Sequence, residues 1–276
     1  MAAAPSAASL PVSRSGHRRR IRRALLALSL TGLLGGTPAV AAGPLPAPDT
    51  PEAPESIRLA TLDWPPYTSA RPQPGSLQTV VRSALSASGI TLSSTVLPWR
   101  RAIRVGLKDP GFHGYFPEYA SPQMNGLCLL SDPIGQGPLG LVHRVDTPVR
   151  WSTLHDLKGV RLGVVQDYIN TDALDALLRL GELQAETAMD DATNLRKVLG
   201  RRIDAAVIDL AVFHFLIQSE ADLRPSADLL VASPQSLEMK TLHVCFRPTA
   251  EGERLRDRFN AGLKTLHMSP FSQPTR

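Results

Sequence analysis

Two stretches decide the fold of this chain: WSTLHDLKGVRLGVVQDYINTDALDALL, residues 151–178, and LRKVLGRRIDAAVIDLAVFHF, residues 195–215. The run from Val160 to Val165 predicts a strand, and the leucines that follow it recur at helical spacing. A second helix comes next, and residues 205–208 predict another buried strand. Asp209 therefore lies at the carboxyl end of a strand, where open α/β sheets bind their ligands.

Residues 1–41 have the composition of a targeting peptide. Five arginines between positions 18 and 23 precede the apolar run of residues 24–34, and Ala39-Val40-Ala41 matches the small-residue cleavage pattern. The apolar run is shorter than the roughly 20 residues that a membrane-spanning helix needs. We therefore predict a cleaved signal peptide and a periplasmic location. The pair Arg22-Arg23 is also compatible with export by the twin-arginine pathway instead of the general secretory pathway.

The basic charge of the chain belongs to this peptide. The full sequence has a formal net charge of +5, but residues 1–41 hold six arginines and no acidic residue, so the remainder carries −1. This charge argues against nucleic acid as a partner. Residues 42–56 are rich in proline and predict a linker. The roughly 220 residues that follow suffice for one large domain or for two lobes.

Strand and helix patterns alternate along these residues, which predicts α/β layers with mostly parallel sheets. A glycine passage, residues 135–140, fits G-x-G-x-x-G, but it contains a proline and an extended segment follows it. We interpret it as a flexible crossing between lobes rather than a nucleotide site. The histidines lack metal-ligand spacing, and no nucleophile motif is present. We therefore predict no cofactor, no metal and no catalytic residue.

Aromatic and acidic residues follow several predicted strands. Aromatic rings in such loops suit ligand stacking, although filling the core is the alternative, above all for Phe116. Acids there suit a ligand that carries an amine or several hydroxyls, although a helix cap is the alternative for Asp167, and Asp190 or Asp191 can cap the helix that follows them. The candidate ligand-binding residues are Asp63, Trp64, Tyr67, Phe116, Tyr119, Asp167, Tyr168 and Asp209.

The chain from about residue 57 onward resembles the family 3 periplasmic solute-binding proteins, the polar amino-acid type of binding component for ABC importers. No single motif is decisive for the similarity, but the order and spacing of five motifs together are specific. The motifs are LPWRRA (97–102), SDP (131–133), DLKGVRLGVVQDY (156–168), GRRIDAAVIDLAV (200–212) and RFNAGLKTL (258–266).

The resemblance implies a two-lobed fold of type II, in which two hinge strands cross between the lobes and a ligand is enclosed. The first lobe would comprise residues 57–141 and 241–276, and the second lobe residues 142–240. Trp64 matches the family's ring that stacks on the ligand, and Asp209 matches the acid that holds the ligand's α-amino group.

The sequence also departs from the family's pattern. Met124 stands where the family has the arginine that clamps a carboxylate, and Asp167 stands where a glycine begins an anion-binding turn. Phe116, Pro117 and Tyr119 fall where the family usually presents small hydroxyl residues to the ligand carboxylate. The changes at Met124 and Asp167 argue against an ordinary α-amino acid as ligand. The arginines that remain as substitutes for the clamp are Arg100, Arg101 and Arg144.

The resemblance also places the returning strand beside the fourth strand, which brings Cys128 near Cys245. The sequence leaves open whether these two thiols are bonded.

We expect an exported, monomeric protein without enzymatic activity. It would capture a small polar metabolite, such as an amino acid or an amine, between its lobes by hinge closure. An ABC importer permease or a membrane sensor would then recognise the closed form. Two alternatives stay open: a dehydratase-like enzyme on the same fold, and a degenerate lobe pair that binds a protein partner and no metabolite.

Overall fold

The computed structural model describes residues 55–266. The predicted signal peptide, nearly all of the predicted linker and the last ten residues lie outside the described residues. The strands of the described part are Glu55–Thr61 (β1), Ile90–Val96 (β2), Gly114–Tyr119 (β3), Leu129–Leu130 (β4), Gly135–Arg144 (β5), Leu162–Val165 (β6), Ala185–Ala188 (β7), Ala205–Asp209 (β8), Leu230–Ala232 (β9) and Glu238–Phe246 (β10). Its α-helices are Ser76–Ala87 (α1), Trp99–Lys108 (α2), Asp172–Leu180 (α3), Asp191–Leu199 (α4), Leu210–Ser219 (α5) and Ala250–Thr265 (α6).

The main sheet has the strand order β2-β1-β3-β10-β5-β8-β6-β7. At one end β1 pairs in parallel with β2 and β3, and at the other end β6 pairs in parallel with β7 and β8. The two strands in the middle, β5 and β10, are antiparallel to each other and to their outer neighbours. The sheet therefore consists of two parallel α/β halves that two long strands join.

Each joining strand serves both halves. Residues 242–246 of β10 pair with β3, and residues 238–242 pair with β5. Residues 135–139 of β5 pair with β10, and residues 139–143 pair with β8. This is the predicted two-lobed arrangement with two crossings. We call the half with β1–β3 the first lobe and the half with β6–β8 the second lobe; the residue boundaries given above stay a prediction.

Three elements differ from the sequence-based expectations. The glycine passage belongs to a continuous ladder strand, β5, and its first residues pair with β10. The short strand β7 between α3 and α4 was not predicted, because AETA is an exposed edge strand without β-branched or aromatic periodicity. The first strand begins at Glu55 rather than Ile57, and the Glu55 carboxylate forms an ion pair with Arg254 of α6.

Cys128 and Cys245 form a disulfide bond in the first lobe. The bond is possible because β4 pairs with β10, so that Cys245 lies opposite Leu130, two positions beyond Cys128. It links residues that are 117 positions apart. Closure of so long a loop restricts the unfolded chain and therefore stabilises the fold. None of the helices in residues 55–266 has the length and apolar composition that crossing a bilayer requires.

The loop after β1 is held in a fixed shape that positions two aromatic residues. Its ends meet where Trp64 N–H donates to Thr68 C=O at 2.9 Å. The buried side-chain oxygen of Gln78 accepts from Ser69 N–H at 2.8 Å and from Gly75 N–H at 2.7 Å, which ties the loop to the first turn of α1. Gly75 is required there, because a Cβ would lie 2.3 Å from the Tyr67 carbonyl oxygen.

Candidate ligand-binding cleft

Asp209 ends β8 and caps α5, which fixes its carboxylate at the face of the second lobe that meets the first. Its Oδ1 accepts hydrogen bonds from Ala211 N–H at 2.8 Å and Val212 N–H at 3.2 Å, as an N-cap does. The side chain is buried, with 2% of the residue exposed. The sequence-based placement of this acid at the carboxyl end of a strand is confirmed.

Two tyrosines of the first lobe donate to Asp209. The Tyr67 hydroxyl lies 3.2 Å from each carboxylate oxygen, and the Tyr119 hydroxyl lies 3.1 Å from Oδ2. Both rings are buried. The carboxylate that the family resemblance assigns to a ligand amine therefore has its oxygens occupied by hydroxyls of its own chain.

The crossing strand β5 carries a glycine at position 137 because a side chain there would collide with the site. A Cβ on Gly137 would lie 1.9 Å from Asp209 Oδ2 and 2.4 Å from the Tyr67 hydroxyl. Any other residue would displace one of these groups. Gly137 of the glycine passage thus makes room for these two side chains.

A second buried acid, Asp191, lies at the start of α4. The neighbouring Asp190 caps this helix by accepting from Thr193 N–H at 2.7 Å, which leaves the carboxylate of Asp191 available to other groups. Asp191 Oδ2 accepts from the indole N–H of Trp64 at 2.9 Å and from the Tyr168 hydroxyl at 3.5 Å. Trp64 belongs to the first lobe, so this bond also connects the lobes.

Burial changes the acidity of both carboxyl groups. It raises the pKa of Asp209 to about 6, although hydrogen bonds from Val212, Tyr119, Ala211 and Tyr67 act in the opposite direction. Burial also raises the pKa of Asp191 to about 7. The hydrogen bond from Trp64 lowers this pKa, and the negative charge of Asp209 raises it further. Both groups therefore exchange protons close to neutral pH.

Aromatic rings fill the space between the two acids. The Trp64 ring centre lies 4.8 Å from that of Tyr67, 6.0 Å from that of Tyr119 and 6.2 Å from that of Tyr168. Trp99 of α2 extends the group at 6.1 Å from Tyr168. The cavity that remains beside these rings measures about 20 Å³. This is room for about one water molecule, so a larger ligand requires the lobes to separate.

A wider cleft of about 490 Å³ lies outside the aromatic group. Asp63 and Asp167 line it, together with Trp99 and Arg100. The Arg100 guanidinium lies 3.4 Å from an Asp167 oxygen, and 74% of the Arg100 side chain is exposed. Asp63 accepts from Ala70 N–H at 2.9 Å. These two acids therefore line the wider cleft and not the small cavity beside the rings.

The position of the missing carboxylate clamp is apolar and closed. Met124 is buried, with 5% exposed. Two neighbouring side chains of the first lobe donate to α3 of the second lobe. Ser121 Oγ donates to Asp172 Oδ1 at 2.6 Å, and Gln123 Nε2 donates to Asp175 Oδ2 at 3.3 Å. The arginines that the sequence offers as substitutes for the carboxylate clamp do not take the position of Met124. Arg144 binds Asp146 and the Leu199 carbonyl, and Arg101 is exposed.

The structure thus brings together five of the eight predicted residues, which form one group of contacting side chains: Trp64, Tyr67, Tyr119, Tyr168 and Asp209. Asp63 and Asp167 line the wider cleft, and the Phe116 ring is fully buried in the core. Sequence analysis missed Asp191, Trp99 and the buried Glu118 as neighbours of the cleft. The available signal was the pair Asp190-Asp191, since one acid suffices to cap a helix. Within residues 55–266, no three potential ligands come close enough to hold a metal ion.

No protein-family model matches the chain, and no curated protein sequence matches it. Solved structures with the same fold are numerous. One is a histidine kinase sensor domain with similarity to periplasmic binding proteins: 19% identity, TM-score 0.67, 77% of this chain and 90% of that chain covered.

Two further solved structures are similar. The holo arginine-binding protein from T. maritima gives 17% identity and a TM-score of 0.64, with 78% of this chain and 92% of that chain covered. An ancestral amino acid-binding protein, a precursor of cyclohexadienyl dehydratase, gives 18% identity and a TM-score of 0.61, with 77% and 89% covered. The chain therefore has the two-lobed fold of the periplasmic binding proteins.

Proposed function

We propose that this chain is an exported solute-binding protein that encloses a small polar ligand between its two lobes. One observation carries the proposal: buried aromatic side chains of the first lobe donate hydrogen bonds to buried acids of the second. Trp64, Tyr67 and Tyr119 come from the first lobe, and Asp191 and Asp209 come from the second. A ligand between them would contact both lobes only in the closed state and would shift the population toward closure.

The small size of the cavity beside the rings supports opening and closing of the lobes as part of the cycle. A metabolite of several heavy atoms exceeds a space of about 20 Å³, so it enters when the lobes separate. The strands β5 and β10 are the only ladder connections between the parallel halves in the described sheet, which makes them the hinge of the proposed motion. A membrane partner would then distinguish the open from the closed form.

The membrane partner is proposed as an importer permease or a sensor. The similarity to the arginine-binding protein supports the first, and the similarity to the histidine kinase sensor domain supports the second. Export through the predicted signal peptide would place the protein in the periplasm, where it could reach either membrane partner.

The test is thermal unfolding of the protein, purified after export, against amino acids, amines, organic acids and sugars. A ligand at about a hundred times its dissociation constant stabilises the fold by about 2.7 kcal/mol, which raises the midpoint by several degrees. We expect one chemical class to raise it. A flat response to every class would contradict metabolite capture.

A second candidate, binding of a protein partner without a metabolite, has one observation in its favour. The tyrosine hydroxyls already occupy both oxygens of Asp209, as a ligand's donor groups otherwise would. Under this reading the closed form is the resting state. Two results together would favour this candidate. The chain would co-purify with a membrane protein equally well with and without the Asp209→Asn substitution, and no compound would raise the unfolding midpoint.

An enzymatic role is the third candidate. Asp191 and Asp209 have pKa values of about 7 and 6, which suit proton transfer near neutral pH. The similar ancestral protein is described as a dehydratase precursor. Product formation from a compound that raises the unfolding midpoint would favour this candidate over simple capture.

A further inference from the structure

The two buried acids Asp191 and Asp209 have no cationic partner. In the described part of the chain, neither forms an ion pair with a lysine or arginine, and no basic group is among the main causes of the shifts in their pKa values. Both residues are almost fully buried, at 4% and 2% exposed. Burying a carboxylate without a counter-charge is costly, so a cation that entered the cleft would relieve this cost.

The hydrogen bonds from Trp64 and Tyr168 engage one oxygen of Asp191. Oδ2 accepts from the indole N–H of Trp64 at 2.9 Å and from the Tyr168 hydroxyl at 3.5 Å. A carboxylate has two acceptor oxygens and an ammonium group supplies up to three donors, so a cation can bind Asp191 alongside these two partners.

The rings beside Asp191 suit a cation as well. Trp64, Tyr119, Tyr168 and Trp99 border the small cavity, and the buried residue Glu118 borders it too. Tryptophan and tyrosine faces attract ammonium and guanidinium groups within about 6 Å of the ring centre. Aromatic rings with acids beside them therefore favour a ligand of positive charge.

The surroundings are unfavourable to a carboxylate. The position of the clamp is the buried, apolar Met124. The polar groups next to it, Ser121 and Gln123, already donate to Asp172 and Asp175. The nearest guanidinium in the cleft, that of Arg100, is exposed and is paired with Asp167. The Nζ of the buried Lys240 lies 5.6 Å from the centre of the Tyr119 ring, but it donates to the Ala120 carbonyl at 3.0 Å and is paired with Glu238 at 3.4 Å. A ligand carboxylate would therefore meet Glu118, Asp191 and Asp209, and the basic groups near them already have partners.

We propose that the cleft takes a small organic cation that carries no carboxylate, an alkyl amine or guanidine bound between the aromatic rings and Asp191. This inference rests on the proposed solute-binding function and names the chemical class of its ligand. The ammonium or guanidinium group donates to the Asp191 carboxylate and lies against the faces of Trp64 and Tyr168.

The experiment compares amino acids with the amines that lack only their carboxylate. The protein, purified after export, is titrated calorimetrically at pH 8 with putrescine against ornithine, cadaverine against lysine, and agmatine against arginine. We expect the amine of at least one pair to bind about tenfold or more tightly than its amino acid. An amino acid that binds as tightly as its amine, or better, would overturn the inference and leave the solute-binding function standing. Absence of binding by all six compounds, together with a shift by a sugar or an organic acid, would also overturn it.

A matched pair of variants locates the charge that matters. Asp191→Asn removes the charge without changing the shape, and we expect it to weaken the binding amine by about tenfold or more. Asp190→Asn removes the adjacent charge and preserves the helix cap, because asparagine caps as well as aspartate, so we expect a change of less than about threefold. Equal losses in the two variants would contradict a direct contact with Asp191. The unfolding midpoint of each variant is measured alongside, and the comparison of amine with amino acid on the unmodified protein does not depend on either variant folding.

Discussion

The indole N–H of Trp64 donates to Asp191 Oδ2 at 2.9 Å, and the two residues lie 127 positions apart on opposite lobes. Both side chains are buried. The bond therefore does two things: it satisfies part of a buried carboxylate, and it holds the first lobe against the second. The hydroxyls of Tyr67 and Tyr119 repeat this arrangement at Asp209.

Replacement of Trp64 by alanine should weaken ligand binding by about tenfold or more and leave the fold intact. The substitution removes a ring at the centre of the cleft and the donor to Asp191. Trp64→Phe keeps an aromatic face and loses only the N–H, so its effect should be smaller. Calorimetric titration of both variants measures the difference. An unchanged affinity in Trp64→Ala would remove this residue from the site.

Gly137→Ala should disturb the site from the backbone side. The new methyl group would lie 1.9 Å from Asp209 Oδ2, so either the acid or the strand must move. We expect a loss of about 1–3 kcal/mol in the free energy of unfolding, typical of overpacking, and weaker binding. Gly200→Ala is the control, because its nearest neighbour lies 3.3 Å away. Denaturant titrations that give the two variants equal stability would contradict the packing argument.

The free energy of unfolding of the ligand-free protein should fall as the pH rises from about 4 to about 7. Folding raises the pKa of Asp209 from 3.8 to about 6 and that of Asp191 from 3.8 to about 7. In this window the folded state holds more protons than the unfolded state, so each increase in pH favours unfolding. One pKa unit corresponds to about 1.4 kcal/mol, and we expect a total loss of at least that size.

Asn substitutions test the origin of this pH dependence. The double variant Asp191→Asn, Asp209→Asn lacks both ionisable groups, so its stability should vary less between pH 4 and 7. The measurement is urea unfolding at several pH values. The same slope in the double variant and the unmodified protein would assign the effect to other groups, such as Glu118, whose pKa burial raises to about 7.

Removal of the disulfide should lower stability without affecting the cleft. The bond links residues 117 positions apart, and loops of this length usually make a disulfide worth about 2–4 kcal/mol. Cys128→Ser with Cys245→Ser should therefore lower the unfolding midpoint by several degrees. Ligand affinity at low temperature should be unchanged, because both cysteines lie in the first lobe away from Asp191. A midpoint within one degree of the unmodified protein would contradict a stabilising role.

Much of the fold could be predicted from local patterns. The position of Asp209 at the end of β8, the cap at Gly181 and the helix from about residue 251 all follow from periodicity and turn chemistry, which act over a few residues. The two-lobed arrangement followed from the family resemblance. The exception was β7, an exposed edge strand whose pairing with β6 comes from the sheet and not from its own composition.

The site was less predictable, because it depends on pairs that are distant in sequence. Trp64 and Asp209 could be named from their positions after strands. The role of Asp191 could not, since it depends on Asp190 taking the cap and on an indole 127 positions away. Gly137 could not be interpreted either, because the atoms that exclude a side chain there belong to Tyr67 and Asp209.

The most direct test of the account is a crystal structure of the protein with the compound that raises its unfolding midpoint most. The account predicts electron density for that compound between the two lobes, in contact with Trp64 and with Asp191. A compound bound elsewhere on the surface, or one that contacts a single lobe, would contradict the central claim that this cleft captures the ligand.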